Sequence, residues 1–172
     1  MKASKRTGGI AAVVAGLGYL VQAIMGLIRP QTEVFSGTWD YILEVVFIIA
    51  LVATLFALLG LHAFLQERYG RAGTSGFWLA MIGTGLMTIS AIGTLFAGQN
   101  WFGLAFVSGM LLALLGYIVL GIAILRAKAF PHWGGLLLIF GFPLSVLLST
   151  LGGGVLFGIT WLAVGYLLLT KK

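Results

Sequence analysis

The stretch YILEVVFIIALVATLFALLGLH, Tyr41 to His62, holds one carboxylate and one imidazole in an otherwise apolar run. Carboxylates and imidazoles are the side chains that most often carry protons in catalysis, so the first question is whether Glu44 and His62 can work as a pair. They are eighteen residues apart. At 3.6 residues per turn they share one helix face, yet a rise of 1.5 Å per residue separates them by about 27 Å along the axis. They sit at opposite ends of one helix and cannot touch.

Each must then be read with its own neighbours. Glu44 lies near Arg29, Glu33 and Asp40 in the connector RPQTEVFSGTWDYILE. An Arg29–Glu44 ion pair there would lower the cost of a carboxylate at the edge of hydrocarbon; alternatively, the three acids form a mouth that attracts cations. His62 shares its level with His132. Two imidazoles at one depth could ligate a haem between helices, or each could ligate a chlorophyll-type magnesium, or both could simply face headgroups and water.

Little other catalytic chemistry is available. The absence of cysteine removes disulfides, thiolate metal sites and cysteine nucleophiles together. Ser145 and Ser149 have no histidine or aspartate partner in sequence reach, so a hydrolytic centre has no base. No histidine and acid pair has metal-ligand spacing on a helix. No enzyme is expected. Gln22 is the sole amide well inside an apolar run, where it can hydrogen-bond across helices. With Thr84, Thr88, Ser145 and Ser149 it could also line a narrow path for a neutral solute, although helical hydroxyls more often bond the carbonyl one turn back.

The elements that must position these groups follow from composition. Of 172 residues, 60% are hydrophobic and 8% charged, against about 25% charged in ordinary soluble domains. Mean hydropathy is +1.12. So much apolar surface cannot be hidden from water at this length, and the solvent must be largely lipid. The expected fold is an all-α integral membrane protein, a compact bundle of six transmembrane helices in one domain over 1–172. The spans are expected at 9–28, 42–64, 76–96, 101–125, 133–151 and 154–169, with the glycine triplet Gly152 to Gly154 breaking the last two apart.

Basic residues test that count, because lysine and arginine accumulate in cytoplasmic connectors. Six spans put Lys2, Lys5, Arg6, Arg68, Arg71, Arg126, Lys128, Lys171 and Lys172 on one side and Arg29 alone on the other. Both termini are therefore expected inside, at a bacterial cytoplasmic (inner) membrane. The basic head and apolar run at the start resemble a signal peptide, but the run is long and its cleavage site poor, so it reads as an uncleaved first helix. Trp39, Tyr41 and Trp101 are expected at the outer interface and Tyr69, Trp78 and Trp133 at the inner one. Trp161 falls near mid-span, against another helix, a pigment or a lipid chain. Pro143 removes a donor and frees the carbonyl of Ile139, predicting a kink in the fifth helix.

Small residues recur at helical spacing: Ala12 and Gly16; Gly76, Ala80, Thr84 and Thr88; Ala105, Gly109 and Ala113; Gly154 and Gly158. Such stripes let helices approach closely where the hydrophobic effect is unavailable. ALLG occurs at Ala57 to Gly60 and again at Ala113 to Gly116, a short echo that would suit hairpin repeats. No connector is long enough for a soluble domain, and nucleic-acid binding has no place to reside despite a net charge of +6. Two functions fit: a non-catalytic subunit packing with partner helices, lipids or pigments in a membrane assembly or homo-oligomer, or a small channel or carrier for a neutral or lipophilic solute.

Overall fold

The computed structural model describes residues 2–29, 34–35, 37–99, 103–128, 130–148 and 152–170. Within them the chain is helical: α1 (Lys2–Ile28), α2 (Thr38–Leu65), α3 (Gly70–Ala97), α4 (Gly103–Ala127), α5 (His132–Leu147) and α6 (Gly154–Thr170). Extended pairing among the described residues is confined to one bridge between Val34 and Gln99. Glu33, Trp101, Ser149, Lys171 and Lys172 lie outside the described residues.

Four helices, α1 to α4, are long and apolar enough to cross a membrane. α5 and α6 have 16 and 17 residues, about 24 and 26 Å at 1.5 Å per residue. The fifth helix is shorter than its apolar run suggests, ending at Leu147 rather than at position 151. The physical reason is the turn that follows. The N–H of Gly153 donates to the carbonyl of Leu148 at 2.7 Å, and a side chain on Gly153 would overlap the Ser145 carbonyl. Gly153 thus lies directly against the last turn of α5, and Gly152 has a φ of +82° that suits glycine. The helix continues through Pro143 to its end. At the other extreme, α1 begins at Lys2 and α3 at Gly70, ahead of their apolar runs, because neither polar lead-in contains a proline to stop a helix.

The helices form a closed ring in chain order, each packed on the next and α6 returning to α1. Neighbours are antiparallel: Gly8 meets Gly60, His62 stacks on Phe77, Gly76 meets Leu120, Gly121 meets Ile139, Gly134 meets Leu167, and Gly9 meets Leu169. One end of the ring therefore gathers Lys5, Arg6, Arg68, Arg71, Arg126 and Lys128, and we refer to it as the basic end. The opposite, acidic end carries Asp40 and Glu44 on the first turns of α2.

Backbone proximity explains the ring. A Cβ on Gly16 would lie 2.7 Å from the carbonyl oxygen of Gly158, and one on Gly158 would lie 2.8 Å from that of Gly16, so these two glycines cross back to back. On α3 and α4 the contact runs through Gly76, Ala80, Gly83 and Met87 against Leu120, Gly116, Ala113 and Gly109. Ala12 is fully buried, Ala105 is half-buried, and Gly154 sits against Ala23 of α1. The two ALLG segments do parallel work, since Gly60 closes on α1 and Gly116 closes on α3.

The outward surface stays apolar. Ile10, Ile49, Ile82, Leu111, Phe140 and Ile159, one from each helix, are all exposed, and Phe96 and Leu104 are 86% and 87% exposed. Apolar side chains over a whole circumference suit an apolar surrounding, lipid or another protein.

Candidate binding cavity

Inside the ring the largest side chains crowd one level. Trp161 is fully buried against Tyr117 and Phe157, at ring-centroid distances of 6.1 and 6.0 Å. Phe157 also meets Tyr19 at 4.7 Å and Phe142 at 4.8 Å. This cluster resolves the position of Trp161: it projects from α6 into the bundle and packs against Tyr117 of α4.

Two tyrosines place hydroxyls in this apolar interior, and each is satisfied by a threonine on a neighbouring helix. The hydroxyls of Tyr19 and Thr54 are 3.2 Å apart, and those of Tyr117 and Thr84 are 3.1 Å apart. Thr54 and Thr88 additionally donate back to the carbonyls of Ala50 and Thr84. A buried hydroxyl without a partner is costly, so the pairs fix which faces of α1 and α2, and of α3 and α4, turn inward. Tyr19→Phe should cost about 0.5–1.5 kcal/mol, because Thr54 keeps its bond to Ala50; reversible unfolding in mixed micelles measures it.

Toward the acidic end the aromatic cluster opens into a cavity of about 670 Å³ to which all six helices contribute. Each helix contributes an aromatic or thioether side chain to its walls, namely Tyr19, Phe47, Met87, Phe106, Met110, Phe142 and Phe157, with aliphatic residues and glycines between them. Gln22 and Ser145 provide polar edges, and among the described residues no charged side chain lines it. Ser145 donates to the Phe142 carbonyl at 2.7 Å, which leaves its oxygen able to accept. A volume of this size, apolar walls and a few convergent polar groups are the usual features of a small-molecule site.

Of the residues singled out for a solute path, the structure brings Gln22 and Ser145 together at this cavity and keeps Thr84 and Thr88 out of its lining, occupied with Tyr117 and with the helix backbone. The aromatic and methionine lining was not anticipated. One signal was available: Tyr19 interrupts an apolar run with a hydroxyl that must find a partner in lipid.

The remaining candidates lie elsewhere. Asp40 and Glu44 are buried, 1% and 6% exposed, at the start of α2, and neither is left without a partner. The carbonyl of Arg29 accepts the indole N–H of Trp39 at 3.1 Å, which ties the end of α1 to the start of α2. His62, at the basic end, is hydrogen-bonded through Nδ1 to the hydroxyl of Tyr69 and stacked on Phe77 at 4.1 Å. Tyr69 is therefore not an exposed interfacial ring. It is buried, and burial pushes its phenol up to about 12, so it stays protonated in neutral solution. His132 is exposed at the first position of α5. Neither histidine lines the cavity, which opens at the opposite end, and no group of three or more potential metal ligands occurs among the described residues.

Fold and cavity together define the class: an all-helical bundle with several membrane-length apolar helices around an internal apolar pocket. No family model matches the chain, and comparison with curated proteins and with solved structures finds no match.

Proposed function

We propose that this chain is a six-span membrane protein that binds a neutral, largely apolar molecule in the cavity at the acidic end, as a carrier or as a binding subunit. The single observation that carries the reading is a cavity of about 670 Å³ to which every helix contributes an aromatic or methionine side chain, and whose described lining holds no charged residue. An ion or zwitterion would lose its hydration there without compensation. A neutral molecule with one carbonyl or hydroxyl would gain apolar contact and a partner in Gln22 or Ser145.

The six-span topology is part of the proposal. α5 and α6 are a few ångströms shorter than a typical hydrocarbon core of about 30 Å, a mismatch that local thinning accommodates at modest cost. Both are packed along longer neighbours in the ring, and nine of ten basic residues then fall on one side, placing both termini in the cytoplasm. The acidic end, with its cavity, faces outward.

Gly26 offers a clean test. It lines the cavity, and a Cβ built on it meets nothing within 4 Å, so Gly26→Phe fills space without displacing backbone. Mass spectrometry of organic extracts from the purified protein should find a neutral species that the variant, folded to the same melting temperature, has lost by about tenfold or more, a difference of roughly 1.4 kcal/mol. Equal extracts from both proteins would remove the cavity from the function.

A second reading, a subunit docking a partner helix, draws on the apolar groove of Ile10, Val14, Ile48, Ile49, Val52 and Phe56 between α1 and α2. Cross-linking from Phe56 in the native membrane tests it; labelling of lipid alone would discard it.

A further inference from the structure

At the basic end, on the outside of the ring, the start of α3 and the last turns of α4 enclose a groove of about 560 Å³. Its rim carries Arg68, Arg71 and Arg126, and its floor is apolar, with Val119, Ile122 and Ala123. All three arginines are exposed. The sequence has four acidic side chains; Asp40 and Glu44 lie at the other end of the molecule, and among the described residues Glu67 is the one acidic side chain near this rim. The field over the groove is therefore positive.

We infer that this groove binds the phosphate of an anionic phospholipid, with an acyl chain lying along Val119 and Ile122. Three observations converge on that ligand chemistry. Guanidinium groups present paired N–H donors that match phosphate oxygens better than any other side chain. α3 begins at Gly70 without a side-chain cap, so the positive end of its dipole adds to the same rim. The floor is apolar and continues into exposed Ile122, 39% accessible, which suits a ligand whose charged head leads into a hydrocarbon tail. A free phosphate ion would use the arginines and leave the floor uncovered. Basic pockets between helices at the cytoplasmic face are suited to anionic headgroups, and the nine-to-one distribution puts this groove on that face. The inference rests on the bundle lying in a membrane and is independent of what fills the internal cavity.

The test is native mass spectrometry of the full chain in a neutral detergent, titrated with phosphatidylglycerol, with phosphatidylcholine, and with phosphatidylglycerol in the presence of inorganic phosphate. Phosphatidylglycerol should bind in preference to phosphatidylcholine, and removing two of the arginines in Arg71→Ala/Arg126→Ala should weaken it by about thirtyfold. Arg29→Ala, at the opposite end, should leave it unchanged. A melting curve in phosphatidylcholine nanodiscs checks that the double variant is folded, and Arg71→Lys/Arg126→Lys, which keeps the charge and removes the fork, should fall between the two. Equal binding of the two lipids, or wild-type binding by the folded alanine variant, would overturn the site. Displacement of the lipid by millimolar inorganic phosphate would overturn the lipid assignment in favour of a soluble phosphate; failure to displace it supports the lipid.

Discussion

Gly83→Leu should prevent the bundle from closing, whereas Gly85→Leu, two residues away on the same helix, should be nearly silent. A Cβ on Gly83 would run into the backbone nitrogen of Ala113 and the carbonyl oxygen of Gly109, while one on Gly85 meets nothing within 4 Å. Overpacking commonly costs about 1–3 kcal/mol when neighbouring side chains can adjust. At Gly83 the obstacles are backbone atoms of an antiparallel helix, so the whole of α4 must move away, and the loss should reach or exceed the top of that range. Because close approach drives helix association in lipid, the helices should remain inserted and helical while tertiary structure is lost. Reversible unfolding by SDS in mixed micelles, followed by near-UV circular dichroism, measures both effects. A stable Gly83→Leu protein would show that α3 and α4 do not pack through this face.

The second large effect is expected at Trp161. The side chain is wholly buried among Tyr117, Phe157 and the rest of the aromatic cluster, and truncation to alanine leaves a cavity that the ring of helices cannot easily collapse. Trp→Ala in such surroundings costs about 3–5 kcal/mol. Trp161→Phe should behave differently. The indole Nε1 is buried without a hydrogen-bond partner among the described residues, so phenylalanine removes an unsatisfied donor along with part of the packing. The two terms oppose, and the phenylalanine variant should stay within about 1 kcal/mol of the parent. The same unfolding titration distinguishes the pair. Equal losses from both substitutions would mean that the indole N–H contributes a bond.

These two sites also indicate what a sequence can disclose about such a molecule. The apolar runs and the clustering of arginine and lysine follow directly from what lipid tolerates, so the helices and their approximate extents are readable without coordinates. Contact faces are harder. A stripe at every fourth residue turns by about 40° per step, so Gly76, Ala80, Thr84 and Thr88 cannot all meet one straight neighbour. In the structure the contact follows 76, 80, 83 and 87, alternating steps of four and three, and Thr84 instead reaches α4 through its hydroxyl and Tyr117.

The cavity was the least legible feature. Its walls come from residues scattered between Tyr19 and Phe157 on six helices, and no spacing along the chain links them. Gln22 and Ser145 stand out because polar side chains are rare in the runs; phenylalanine and methionine do not, since the same residues also face lipid. The end of α5 was obscured for a related reason. The apolar run continues beyond Leu147, and hydropathy does not register the backbone turn made by Gly152 and Gly153.

The central claim is that a neutral lipophilic molecule occupies the space inside the ring rather than its outer surface. Photolabelling in nanodiscs with an uncharged, diazirine-bearing alkyl alcohol, followed by peptide mapping, addresses it most directly. Label is expected on Phe47, Phe106, Phe142 and Phe157, and it should disappear in Gly26→Phe while background labelling of outward residues such as Ile82 and Phe140 persists. Label confined to those outward residues, or interior label unaffected by filling the cavity, would contradict the claim.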